Sequence, residues 1–234
     1  MKFLKLFAVL GLSLLAFSLQ AQRVNGNGNV TTVAHPIPDF HSVEINGAYS
    51  VELIQGEGYG VEVTTDENLQ DLIGVEVNDG VLIISSEKRM NNATKLKLTI
   101  NSNEYRALEI NGAVDLKSLT PLYGDRLSVE VNGASSLQMA LVYDELVSSI
   151  SGAASLKFKG EVDRVTQEVS GAASINAFEL VAQEVLVDVG GAGSVQVHAT
   201  EFLNATITGI GSITYEGNPE VEKHISGMGS LARR

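Results

Sequence analysis

The chain has 234 residues, with 16 Lys+Arg against 28 Asp+Glu for a net charge of −12, four His, no Cys and no Trp. That length suits one domain or two small ones, and a content of 44% hydrophobic and 19% charged residues excludes the disordered class. The acidic balance argues against nucleic acid, and the missing cysteine excludes disulfides, Cys-ligated zinc, haem thiolates and a lipid-anchored N-terminal cysteine.

Residues 1–21 read as a secretory signal peptide: Lys2 and Lys5 at the start, an apolar run from Leu6 to Leu19, then Gln20-Ala21-Gln22 as the break. The run is too short for a membrane span with stop-transfer flanks. Cleavage after Ala21 removes two lysines, so the 16 basic residues become 14 and the net charge −14. The protein is therefore expected to be exported, to the periplasm, the outer-membrane surface or the extracellular space, with no transmembrane span after signal removal. Residues 22–38, with NGNGN and HPIPD, have no core pattern and predict a flexible lead-in.

Residues 39–234 predict one β domain, irregular over 39–107 and regular over 108–234. In the irregular part VELIQG, YGVEVTT, IGVEV, VLIISS and KLKLTI read as strands. VEVNDGVLI at 75–83 reads as a degenerate repeat, and EKRMNNAT at 87–94 as a loop with the strongest positive cluster. The 65 residues between Gly47 and Gly112 suffice for about three coils.

The regular part is a repeat. Eight segments align on Gly47, Gly112, Gly133, Gly152, Gly171, Gly191, Gly209 and Gly227, among them EINGAYSV, EVNGASSL, SISGAASL and HISGMGSL. From Gly112 the intervals are 21, 19, 19, 20, 18 and 18 residues. A period near 20 with β-branched residues and no helical spacing predicts one coil of a β-solenoid. Two before the glycine stand Ile45, Ile110, Val131, Ile150, Val169, Val189, Ile207 and Ile225. Four after it stand Val51, Leu116, Leu137, Leu156, Ile175, Val195, Ile213 and Leu231. Both columns are apolar in every copy and point into a shared interior. The glycine is expected at φ > 0 in a tight corner. Polar columns on either side, Asn46 to Ser226 and Ser50 to Ser230, are expected to hydrogen-bond from coil to coil and hold register. Roughly eight to ten coils at about 4.8 Å would make a rod on the order of 40–50 Å.

FHSVEINGAYSVELIQG, then VEVTTDENL, then VNDGVLIIS and serial INGA and SGAAS coils resemble the head GIN domain family of auto-transporter adhesins. The resemblance covers about residues 39–231. It implies an all-β, single-stranded, right-handed parallel β-helix and a cell-envelope location, and brings no catalytic residues. No translocator barrel or sorting domain is recognisable in the sequence.

Several columns carry side chains capable of chemistry. Three before the glycine run Glu44, Glu109, Glu130, Ser149, Glu168, Asp188, Thr206 and His224. In-register stacking would bring Glu109 beside Glu130 and Glu168 beside Asp188, which reads as a solvated acidic face. The alternative is a carbohydrate-active enzyme, a polysaccharide lyase or hydrolase using this column. Seven before the glycine, Arg126, Glu145, Arg164 and Glu184 alternate in sign and predict a surface ion ladder. His35, His41, His198 and His224 have no metal-ligand spacing, the serines lack a partnered base, and Tyr49, Tyr59, Tyr105, Tyr123, Tyr143 and Tyr215 are scattered. The expectation is a non-enzymatic exported module, with no catalytic, cofactor or metal residues, that binds an envelope or extracellular protein or glycan through its solenoid faces. Its last coil is left able to dock a second copy end to end.

Overall fold

The computed structural model describes residues 23–86 and 88–234; the signal-peptide segment lies outside them. The chain is a β-solenoid of about seven turns. Its regular stack begins with β3 (Ser42–Ile45) and β4 (Ala48–Gln55), the strands before and after Gly47. On them lie β10 (Ala107–Ile110) and β11 (Ala113–Ser118), followed by β12 (Leu122–Val131) and β13 (Ala134–Ile150). The stack continues through β14 (Ala153–Val169), β15 (Ala172–Val189) and β16 (Ala192–Ile207), each parallel to the last. β17 (Ile210–Glu216) and β18 (Glu220–Ile225) both pair with β16, and β19 (Ser230–Arg233) closes on β17.

Alternation drives these strands. The column from Ile45 to Ile207 and the column from Val51 to Ile213 are buried at every level, and between them the residues two after the corner also point inward while their neighbours, such as Ala113 and Asp115, face outward. Register follows the repeat as expected: Glu109 stands opposite Glu130, Ile110 opposite Val131 and Leu116 opposite Leu137.

The corner glycines owe their place to stacking and not to φ. Positive φ in this column is confined to Gly47 (φ 150°), which corrects the expectation of a left-handed corner in every coil. A Cβ on Gly112, Gly133, Gly152, Gly171, Gly191, Gly209 or Gly227 would coincide with the carbonyl oxygen of the glycine one coil earlier. Two positions on, the inward column narrows from Tyr49 and Val114 through Ser135, Ala154 and Ala173 to Gly193, Gly211 and Gly229. At Gly211 and Gly229 a Cβ would press on Val189 Cγ1 (2.7 Å) and Ile207 Cγ2 (2.5 Å), so the β-branched residue before the corner occupies that space.

Residues 56–106 build the base, and here the sequence reading needs correction. All five strand-like runs are strands, but the first is β4 of the coil already described and the other four supply one further coil and not three. β7 (Val81–Ser86) pairs parallel with β3, and β9 (Leu96–Ser102) with β4, so a coil later in sequence lies beneath the first one. β5 (Gly60–Asp66) runs antiparallel to β9, and β6 (Ile73–Asn78) antiparallel to β7, with a 3-10 helix at Glu67–Leu72 between them. The supposed degenerate repeat at 75–83 is the β6–β7 hairpin. Its two-residue turn has Asp79 at φ 49° and Gly80 at φ 78°, the pair of positive φ values that a tight Asp-Gly hairpin turn demands. This base accounts for the lower number of turns.

The lead-in is likewise structured. β2 (Val30–His35) adds antiparallel to β5, and β1 (Val24–Asn25) pairs parallel with β8 (Met90–Asn91). β2 shows no core pattern because its task is to occupy the open edge of β5: it is mostly exposed and gives backbone more than side chain. Tyr105 then carries the chain from the base to β10. Fully buried, its hydroxyl donates to Ile54 O (3.1 Å) and Ile100 O (2.9 Å), tying the base coil to the one above.

Candidate binding surface

The outer faces are built from columns. Beside the corner, Asn111 Nδ2 donates to Asn46 Oδ1 (3.1 Å), Asn132 Nδ2 to Asn111 Oδ1 (3.0 Å), and Ser151 Oγ to Asn132 Oδ1 (2.7 Å). The same amides hold the acidic column: Asn46, Asn111 and Asn132 donate to Glu44, Glu109 and Glu130 of their own coils at 2.7, 2.8 and 2.9 Å. The structure thus brings Glu44, Glu109 and Glu130 into one file and stands Glu168 opposite Asp188. One oxygen of each of the first three serves the ladder, which makes them register elements. The serine column is weaker, with Ser212 Oγ reaching Ser194 Oγ at 3.4 Å.

The ion ladder forms in alternate rungs. Arg126 pairs with Glu145 (2.9 Å) and Arg164 with Glu184 (3.0 Å). The Glu184 carboxylate raises the already high pKa of the Arg164 guanidinium. A second cluster sets Glu52 between Lys97 (2.7 Å) and Lys117 (3.1 Å), and hydrogen bonding to Lys97 holds its carboxyl below the ordinary glutamate range. The histidines are not brought together, and no group of three His, Asp or Glu placed to hold a metal occurs among the described residues. Tyr49, Tyr105 and Tyr143 are buried and Tyr123 is exposed; burial pushes the hydroxyls of all three buried tyrosines up.

Among the concavities that interrupt these faces, two stand out by volume. A shallow trough of about 780 Å³ runs across five coils, floored by Ala113, Ala134, Ala153, Ala172 and Ala192 with the adjoining serines. A deeper cleft of about 710 Å³ lies where the β1/β8 pair overhangs the corner at Gly47 and Gly112, lined also by Arg23, Lys88, Arg89, Met90 and Leu96. The overhang is fastened from within by Asp66, a buried carboxylate. Gly28 N–H (2.6 Å) and Thr94 Oγ1 (2.9 Å) donate to its Oδ1, and Thr94 N–H (2.7 Å) to its Oδ2. A Cβ on Gly26 would lie 2.7 Å from Asp66 Cγ, so glycine is required where the chain passes. Asn91 Nδ2 to Asn25 Oδ1 (3.0 Å) and Asn68 Nδ2 to Asn25 O (2.8 Å) complete the fastening. Sequence reasoning found the positive loop but not this cleft. The signal that could have found it is the shared asparagine richness of 25–29 and 91–92, two segments that bond across the overhang.

The fold and its faces define a class: a β-solenoid of in-register coils, closed at its N-terminal end by an antiparallel base. The chain belongs to the family described as "Putative auto-transporter adhesin, head GIN domain", whose model matches residues 39–219. Solved structures agree. A "putative adhesin" from Bacteroides fragilis superposes with a TM-score of 0.87 at 24% identity, over 90% of this chain and 100% of that one. A "putative lipid binding protein" from Parabacteroides distasonis gives 0.73 at 28% identity, over 91% and 100%. A "putative adhesin" from the same organism gives 0.74 at 24%, again over 91% and 100%. Among curated proteins no relative is found. No helix among the described residues is long and apolar enough to cross a membrane.

Proposed function

We propose that this protein is an exported, non-enzymatic binding module of the cell envelope that engages a protein or glycan partner through its solenoid faces. The observation that carries this reading is the trough from Ala113 to Ala192, where in-register coils repeat the same small, exposed groups over five levels. A periodic surface of this kind suits an extended partner, because each coil offers it the same contact again. Membership of an adhesin family and the signal-like first 21 residues support export. The β18–β19 end would dock a second copy of the chain.

The test is capture of envelope proteins and glycans by the chain lacking residues 1–21. Ala153→Arg and Ala172→Arg each set a large cation on the trough floor at exposed positions and leave the interior alone. Both are expected to abolish capture that wild type shows, whereas undiminished capture would move the binding surface off the trough. The enzyme alternative is tested in parallel on a polysaccharide panel. No cleavage is expected, and a cleaving activity lost on replacing Glu109, Glu130, Glu168 and Asp188 by Gln would establish it instead.

A further inference from the structure

We propose that the cleft under the β1/β8 overhang is a binding site for an anionic amphiphile, a phosphate or carboxylate head carrying an alkyl or acyl chain. Two observations converge on it. Arg23, Lys88 and Arg89 line the cleft, in a chain whose net charge is −12. Gathering like charges costs energy unless an anion neutralises them, and a recess lined by one sign of charge focuses the field on whatever enters it.

Glu44, three residues before Gly47 in its outward column, has its Oε1 engaged by Asn46 Nδ2 (2.7 Å) and is tied into the ladder.

The rest of the wall is apolar: Met90 and Leu96 on the overhang side, Ala48 and Ala113 on the corner. A bare inorganic anion would leave that surface wet, whereas a chain attached to the head would bury it. The cleft volume of about 710 Å³ lies in the range of small-molecule sites. The overhang is a built wall, because Asp66 binds it from below through both carboxylate oxygens.

Such a head and chain could belong to a free alkyl phosphate or to a lipid in a bilayer. Calorimetric titration of the chain lacking residues 1–21 with octyl phosphate, and separately with inorganic phosphate, reads the site itself. Vesicles of phosphatidylglycerol, against phosphatidylcholine, read the source. Wild type is expected to bind octyl phosphate saturably and inorganic phosphate at least roughly tenfold more weakly. Arg23→Glu and Arg89→Glu, both at exposed positions, should each weaken octyl phosphate roughly tenfold. Lys159→Glu, the same charge change on a distant coil, should leave it unchanged. Vesicle binding that follows the same variants marks a bilayer lipid as the source, and its absence beside octyl phosphate binding marks a free ligand; both uphold the site. Three results overturn it: no octyl phosphate binding, an equal loss in Lys159→Glu, or inorganic phosphate bound as tightly as octyl phosphate.

Discussion

Gly152 stacks so closely on Gly133 that a methyl group would have to occupy the position of the Gly133 carbonyl oxygen. The obstruction is backbone and cannot swing aside, so Gly152→Ala must spread two coils or tilt the corner. A loss of about 3 kcal/mol is expected from overpacking of this kind. Ala153→Ser, one residue on and exposed, should lie within about 0.5 kcal/mol of wild type. Urea unfolding of the two variants separates steric demand from mere sequence preference. Gln167 presents the opposite case. It lies fully buried in an inward column between Ser148 and Val187, and among the described residues neither its amide oxygen nor its nitrogen has a hydrogen-bond partner, nor does the Ser148 hydroxyl. An unpaired buried amide costs more than an apolar group of like size. Gln167→Leu is therefore expected to raise the unfolding free energy by about 1–2 kcal/mol, read as a higher urea midpoint at unchanged slope.

At the level of elements, the overhang and the base depend on one carboxylate. Burial by itself raises an aspartate, but the N–H and Oγ1 of Thr94, the N–H of Gly28 and its own N–H more than offset this and hold Asp66 below the ordinary value. A group depressed in the folded state stabilises above its unfolded pKa, and that contribution is lost as pH falls through the folded one. Acidification below about pH 4 should therefore release residues 23–29 and 88–94 before the coils unfold. Protection against amide exchange, relative to the intrinsic rate at each pH, should fall at Gly28 and Thr94 while that of Val131 and Val169 does not. Asp66→Asn should show the same low protection at neutral pH and little further change on acidification. Why this part escaped the sequence follows from its geometry. In the coils, parallel in-register stacking turns a period near 20 into columns, so Ile110, Asn111 and Gly112 announce the positions of Val131, Asn132 and Gly133. The Asn ladder and the ion rungs at Arg126 and Arg164 were legible for the same reason. The base has no such period, because β5 and β6 run antiparallel to their neighbours and β7 lies beneath a strand that precedes it. Its contacts span about 28 to 66 residues, as between Asp66 and Thr94 or Asn25 and Asn91, and its partners are single polar atoms that leave no hydrophobic pattern.

On the scale of the whole molecule the two ends differ, and the difference bears on association. At the base, β2, β5, β6 and the 3-10 helix cover the first coil. At the other end β18 pairs with β16 and β19 with β17, with no described strand beyond either. The inward column that is fully buried from Ile45 to Ile207 ends in Ile225 at 39% exposure, next to Met228 at 75% and near Ile210 at 60%. Open edges and an open interior favour addition of further strands. A head-to-tail neighbour would have to displace the base, so the proposed pairing joins two C-terminal coils. Such a contact would be isologous and close on itself, giving a dimer and no filament. Each copy carries a net charge near −14 once residues 1–21 are removed, so salt should strengthen the pair by screening their repulsion. Sedimentation across a concentration series is expected to show a monomer–dimer equilibrium that Ile225→Lys or Met228→Lys shifts to monomer. Both substitutions place charge where the partner's apolar end would lie, and neither touches the base. A wild-type monomer at high concentration and high salt would refute the pairing, and so would a series of higher oligomers, because a shut base permits only two copies to meet.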